Sequence, residues 1–316
     1  MALVPRTRFE WLLRTRTLAL GGQTKIMGIL NVTPDSFSDG GRFASRDAAL
    51  GRAMAMLDEG AHIVDVGGES TRPGATQLPA SEEQARVLQV IEAVLKERPE
   101  TVISIDTFHA ETARAAVQAG AEIVNDVSGF TWDDAMAAAC AELACGVVLM
   151  HTRGRPGEWK TLPAIPPLAR MPVVLTGLRD SILTARRAGV ASDRIVLDPG
   201  FGFGKLGDEN YTVLALLHQM HQFGLPVLSG SSRKGFLGRT LGPLYGGESA
   251  PFDARVNATT AANVASILAG AHILRVHDVR AAAEAAAVAD AILDAAAEIA
   301  AQTGPGWAAA GSGAVQ

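Results

Sequence analysis

Eight times along this 316-residue chain a short β-branched apolar run ends in a polar or glycine-rich cluster and gives way to a helical stretch. The runs are Lys25–Leu30, His62–Val66, Val102–Ile105, Glu122–Val124, Val147–Met150, Arg194–Leu197, Pro226–Leu228 and His272–Val276. Behind them stand Asn31, Glu69-Ser70-Thr71-Arg72, Asp106, Asn125-Asp126, His151, Asp198, Ser231-Ser232-Arg233-Lys234 and His277. Eight βα units with chemistry at each strand's C-terminal end specify an α/β fold, a (β/α)8 barrel with one composite site at its mouth. The length suits one such barrel with extensions. The expected divisions are an N-terminal extension over 1–24, the barrel over 25–303 and a Gly- and Ala-rich tail over 304–316, whose composition predicts disorder.

Composition narrows the function classes. An apolar share of 48% is ordinary for a globular core. With 28 Lys and Arg against 33 Asp and Glu, the net charge of −5 leaves no general basic footprint for nucleic acid. An anionic ligand must therefore be held by local positive charge. Cys140 and Cys145 read as free thiols packed as small hydrophobes, and their five-residue spacing without a His pair disfavours zinc. Free thiols suit a reducing compartment, so the expected location is cytoplasmic. Arg6, Arg8, Glu10, Arg14 and Arg16 interrupt the N-terminal apolar residues, against a secretory signal, and no run of about 20 apolar residues suggests a membrane span.

Phe9–Leu13 and Thr17–Leu20 are expected to pair as a hairpin under the barrel. Helices are expected over Arg46–Glu59, Ser81–Glu97, Ala110–Ala119, Asp133–Ala144, Met171–Ala188, Glu209–Phe223, Asp253–Ala269 and Val279–Ala301. Ser81, followed by Glu82 and Glu83, suits an N-cap, and Gly60, Gly120, Gly189 and Gly270 suit helix C-termini. In the last helix Val288, Ile292 and Ile299 make a narrow apolar stripe. The longest loops, 31–45, 67–80, 151–170 and 238–252, are where substrate contacts belong on a barrel.

The loops carry the chemistry. Asn31 ends its strand, and its amide suits an anion or a hard cation. Gly67 and Gly68 allow close backbone approach, and Thr71 and Arg72 suit a phosphate, although the same composition suits a solvated turn. Asp106, Asn125 and Asp198 end three strands and offer acceptors to the donor-rich edge of a heterocycle such as an aminopyrimidine. Helix capping is the plainer use of such residues. Gly200-Phe201-Gly202-Phe203-Gly204-Lys205 fails the Walker pattern and reads as a tight loop presenting Phe203 as an aromatic wall. Ser232, Lys234, Arg275 and His277 follow the last two strands, where barrels usually bind phosphate. Val276 is expected to face away from its neighbours Arg275 and His277. His109 and His151 make weaker claims and suit solvated positions.

Taken together the motifs resemble those of the dihydropteroate synthases. Met27-Gly28-Ile29-Leu30-Asn31-Val32-Thr33-Pro34-Asp35-Ser36-Phe37-Ser38-Asp39-Gly40-Gly41 is similar to the family's first signature, and Asp65 to Gly74 to its second. Ser104–Thr107, Ile123–Gly129, Leu197–Lys205, Ser232–Lys234 and Arg275–Asp278 follow in family order. The resemblance implies a transferase of folate biosynthesis. It condenses 6-hydroxymethyl-7,8-dihydropterin pyrophosphate with p-aminobenzoate to give dihydropteroate and pyrophosphate, through S_N1-like loss of pyrophosphate, and is a target of sulfonamides. By the same resemblance Asp106, Asn125, Asp198 and Lys234 hold the pterin, and Arg275 flanks it and reaches the phosphates. Asn31 and His277 bind the pyrophosphate with Mg2+ near Asn31, while Thr71, Arg72, Phe203 and Ser232 shape the p-aminobenzoate site. Asp106, Lys234, Arg275 and His277 are thus the expected catalytic residues, in an expected homodimer. Gly235 departs from the pattern, because many relatives carry Ser there and this chain lacks that hydroxyl near the p-aminobenzoate carboxylate. A pterin-binding methyltransferase and a non-catalytic pterin-binding paralogue are the alternatives.

Overall fold

The computed structural model of the chain describes residues 6–32, 41–69 and 77–303. An antiparallel hairpin of β1 (Phe9–Leu12) and β2 (Thr17–Leu20) leads into β3 (Lys25–Asn31), and then strands and helices alternate. They are α1 (Gly41–Asp58), β4 (Ile63–Gly67), α2 (Ala80–Glu97), β5 (Val102–Asp106), α3 (Ala110–Gln118), β6 (Ile123–Asp126), α4 (Met136–Leu143) and β7 (Gly146–Met150). There follow α5 (Arg170–Ala188), β8 (Ile195–Asp198), α6 (Glu209–Ala215), β9 (Leu228–Ser229), α7 (Gly235–Leu241), α8 (Val256–Leu268), β10 (Ile273–Val276) and α9 (Val279–Thr303). The eight parallel strands run in the order β8-β7-β6-β5-β4-β3-β10-β9. Leu197 bridges to Val227, and its N–H bonds to Pro226 O at 2.9 Å, which closes the sheet into a barrel.

The two-residue period of a strand decides what faces inward. Met27, Ile63, Val102, Ile123, Val148, Val196, Leu228 and Ile273, one from each barrel strand, pack inside with Trp11, Leu13 and Leu20 from the hairpin. The hairpin is therefore a plug at the barrel's N-terminal end, as expected, and the Trp11 indole N–H bonds to Arg194 O at 2.8 Å. Neighbouring strand residues such as Ile26, Val64, Ile103 and Leu274 face outward and share the larger core beneath the helices. Val276 belongs to that outer core too, as its alternation with Arg275 requires. Each fully buried aliphatic side chain of either layer stabilises the fold by roughly 2 kcal/mol.

Several expectations need correction. Pro79, not Ser81, holds the N-cap position of α2, with no side-chain capping bond. Ser81 lies inside the helix. The stripe on α9 faces outward, with Val288 65% and Ile292 43% exposed. Helix α9 packs instead through Val279, Ala282, Ala286, Ala289 and Leu293, because alanines let its backbone approach closely. The stretch expected as the loop 238–252 carries the last four residues of α7 and a 3-10 turn over Gly242–Tyr245. Gly60, Gly120, Gly189 and Gly270 all take positive φ at helix ends, and both cysteines are buried free thiols, as expected. Thr71, Arg72, parts of the first two loops and the tail lie outside the described residues.

Candidate active site

The site rises from the barrel interior by the same period. Two residues beyond each member of the apolar layer stand Ile29, Asp65, Ser104, Asn125, Met150, Asp198, Gly230 and Arg275. Two further on stand Asn31, Gly67, Asp106, Val127, Thr152, Gly200, Ser232 and His277. Most of the expected site residues therefore share two adjacent layers at the C-terminal mouth. Lys234 and Phe203 reach the same place from the loops after β9 and β8.

Arg275 organises the centre. Its Nε donates to Asp65 Oδ2 at 2.6 Å and its Nη2 to Asp106 Oδ2 at 2.5 Å. Burial opposes its charge, but Asp65 and Asp106 outweigh that and hold the guanidinium above its ordinary pKa. Burial, opposed by Arg275 and reinforced by Asp65, pushes Asp106 up to about 7. Asn125 Nδ2 donates to Asp65 Oδ2 at 3.1 Å, which leaves its Oδ1 as the acceptor for a ligand. Asp198 takes the Gly200 N–H on Oδ1 at 2.7 Å, and burial raises its pKa against that bond. Its Oδ2 faces Gly230, where an added Cβ would lie 3.4 Å away, so the bare glycine leaves that acceptor open.

Lys234 lies across the slot with Nζ 4.2 Å from the centre of the Phe203 ring. Burial, then the Arg275 charge, bring it down to about 8. The slot between Asn125, Met150, Asp198, Phe203, Lys234 and Arg275 consequently retains only about 10 Å³ of free volume. A larger groove of about 430 Å³ lies beside the hairpin at the opposite end, lined by Arg8–Leu12 and Ser192–Asp193. It contains none of the converging acceptors, so chemistry, rather than volume, locates the site.

Phe203 is held as an aromatic wall by unusual means. Lys205 is buried and its ammonium donates to the carbonyls of Gly200 at 2.7 Å, and of His151 and Phe203 at 3.2 Å each. Burial lowers Lys205 to about 7. Gly200 has φ +66° and passes so close to the His151 carbonyl that no Cβ fits there. Trp159, from the long loop after β7, meets Phe203 edge-on at 5.1 Å. His151, expected in solvent, is 5% exposed, and burial holds it neutral. His109 is partly buried, with Nε2 3.6 Å from Glu69 Oε2.

A second polar corner joins the last two loops. The His277 backbone N–H donates to Ser232 Oγ at 3.1 Å, and that oxygen lies 3.0 Å from His277 Nδ1. Burial, then Arg275, Arg233 and Lys234, bring His277 down to about 3, so its ring is neutral. With the Ser232 hydroxyl donating to Nδ1, the ring proton sits on Nε2 as a donor. Arg233, in the left-handed region at φ +54°, braces this corner through Asp278 (2.8 and 2.5 Å) and Asp253 (2.8 Å). Among the described residues no three His, Cys, Asp or Glu side chains converge as a metal-binding group. Asn31 offers one hard oxygen at its strand end, which fits an ion held mainly by phosphate oxygens and water, the usual habit of Mg2+.

Sequence reasoning missed three residues here. Asp65 lies within the expected strand run His62–Val66 but was given no role, and it is fully buried and paired with Arg275. A lone carboxylate inside the run Ile63-Val64-Asp65-Val66 was the available signal. Arg233 and Lys205 sat inside recognised motifs, but nothing in their spacing announced bracing roles.

A fold and site of this kind have known counterparts. The sequence model of the family described as pterin binding enzyme matches residues 27–277. The dihydropteroate synthase of Synechocystis sp. is 42% identical over 282 residues, 89% of this chain and 91% of that protein. The Xanthomonas albilineans dihydropteroate synthase solved with 4-aminobenzoic acid is 41% identical with a TM-score of 0.79, over 90% of this chain and 98% of that one. The Yersinia pestis dihydropteroate synthase in a sulfonamide drug complex superposes with a TM-score of 0.81 at 38% identity, over 90% of this chain and all of that one (100%). The chain belongs to the pterin-binding enzymes and, within them, to the dihydropteroate synthase family. Its activity is the transferase reaction of that family, on pterin and p-aminobenzoate-type substrates. No helix among the described residues is long and apolar enough to cross a membrane.

Proposed function

We propose that the two polar layers carry out dihydropteroate synthesis by dissociation first and capture second. Asn125 Oδ1 and Asp198 Oδ2 accept from the amino and ring N–H groups of the pterin, and Lys234 donates to its acceptor edge. The carbon–oxygen bond to pyrophosphate breaks, and the leaving oxygen takes the electron pair. Asp106 faces the cation that develops on the pterin and its exocyclic methylene. Arg275 lies between that carboxylate and the pyrophosphate, and His277 Nε2–H and the Asn31 amide face the departing anion. Asn31 would hold Mg2+ together with the pyrophosphate, and the ion would supply charge neutralisation to the leaving group. Thr71, Arg72, Phe203 and Ser232 position the arylamine, whose nitrogen attacks the methylene and then releases its proton. The protein contributes placement and electrostatics without a covalent nucleophile.

The observation that carries this reading is Arg275 shared between two buried carboxylates beside open acceptors at Asn125 and Asp198. Positional isotope exchange in dihydropterin pyrophosphate labelled at the bridging oxygen tests it, with Mg2+ and a p-aminobenzoate analogue lacking the amine. Scrambling of the label is expected. Its complete absence, in pyrophosphate free to rotate, counts against a discrete cation. The outward-facing apolar stripe of Val288 and Ile292 on α9 supports a homodimer, whose mass sedimentation reads directly. The buried free thiols support a cytoplasmic location.

A further inference from the structure

Gly235 is exposed at the start of α7, directly after Lys234, and Arg239 lies one helical turn further on. Helical side chains lean toward the N-terminus of their helix, so a long side chain covers the turn before its own Cα. Arg239 follows that rule: a Cβ built at Gly235 would lie 3.5 Å from Arg239 Nη1. The guanidinium therefore lies beside the bare glycine, on the loop that carries Ser232 and Lys234.

The other cations of this turn are committed. Arg233 pairs with Asp278 and Asp253. Arg255 donates to the carbonyls of Arg233 at 3.0 Å and of Ala250 at 2.8 and 3.0 Å. Lys234 lies over Phe203. Among the described residues the Arg239 side chain has no acid partner, and its charge acts on the like-charged Arg255. A planar, permanently charged fork without an acid partner, on the turn that follows Lys234, suits a carboxylate.

We propose that Arg239 binds the carboxylate of p-aminobenzoate through the space that the missing side chain of Gly235 leaves open. This rests on the placement of the arylamine between Phe203 and Ser232. Gly235 and Arg239 then act as one unit: the missing side chain leaves room for the fork. Arg239 is a specificity residue, selecting arylamines that carry an anion.

Steady-state kinetics of the purified enzyme test this, with p-aminobenzoate and its uncharged amide, p-aminobenzamide, as alternative acceptors. Arg239→Gln is expected to raise KM for p-aminobenzoate about tenfold, as loss of one charge-assisted contact predicts, while KM for p-aminobenzamide moves less than about twofold. Adding Gly235→Ser to that variant is expected to recover part of the loss. An unchanged KM for p-aminobenzoate, or an equal loss for both acceptors, overturns the proposal. Phe203→Ala, run alongside, is expected to weaken both acceptors. If Phe203→Ala acts while Arg239→Gln is silent, the role of Arg239 fails and the arylamine placement stands. If neither variant changes either KM, both fail. An unaltered KM for dihydropterin pyrophosphate shows that Arg239→Gln has folded.

Discussion

Two layers of one barrel interior, two residues apart on the same strands, differ almost completely. The lower layer, from Met27 to Ile273, is aliphatic and sealed by Trp11. The upper layers hold Asp65, Asn125, Asp198 and Arg275, with Asp106 above. The lower layer gains stability from every side chain it removes from water. The upper layers bury charges whose desolvation offsets much of their mutual attraction. What the upper layers gain is preorganisation, because charges held in a dry mouth act on a reacting bond more strongly than charges in water. The scaffold can keep such a site because the other half of its interior is uniformly apolar.

A crossed pair of variants tests that division. Asp106→Asn is expected to lower kcat/KM about 10³-fold, since one preorganised electrostatic partner of the developing cation is lost. Its stability should change by less than about 1 kcal/mol. Burial already pushes Asp106 up to about 7 and so favours its neutral form, and Arg275 keeps Asp65. Trp11→Ala should do the reverse. Emptying a fully buried indole is expected to cost about 3–5 kcal/mol, and kcat/KM of the folded enzyme should stay within about twofold. Urea unfolding beside steady-state assays reads both arms. An Asp106→Asn loss explained by unfolding, or a Trp11→Ala enzyme defective in kcat while folded, would break the comparison.

The same contrast explains what could be read from the sequence. All eight strands were legible because each is a short β-branched run closed by a polar residue. Their observed ends differ mainly in that Asn31, Asp106, Asn125-Asp126 and Asp198 end the strands instead of opening the loops. Asp65 was not legible, because a charge within a strand run looks like an edge until a partner such as Arg275 arrives from a strand 210 residues away in sequence. The inner face of α9 was not legible, because periodicity finds an apolar stripe but does not say which neighbour it meets. Alanines, counted as weak hydrophobes, took the inner face. His151 was misread as solvated because its burial depends on the loop that Lys205 pins.

A smaller effect sharpens the comparison along a single strand. Strand β10 carries Arg275 at its upper end, and His272 precedes its lower end. His272 is fully buried, accepts the Val227 N–H on Nδ1 at 3.1 Å and reaches Thr7 O through Nε2 at 3.0 Å. Burial, opposed by the Thr7 carbonyl and helped by His221 and Arg6, brings its pKa from 6.5 down to about 4. Above pH 6.5 the ring is neutral in both the folded and the unfolded chain and costs nothing. Between 6.5 and 4 the unfolded chain binds a proton that the folded chain refuses, so stability falls as the pH falls. At about 1.4 kcal/mol per unit of pH the loss approaches about 3 kcal/mol near pH 4. His272→Asn keeps an acceptor for the Val227 N–H and cannot take up the proton. The stability gap between parent and His272→Asn, from urea unfolding at stepped pH, should therefore shift in favour of the variant from pH 7 to 4.5. A gap constant across that range would mean that the lower end tolerates a charge after all, and the division between the two ends of the barrel would be one of packing alone.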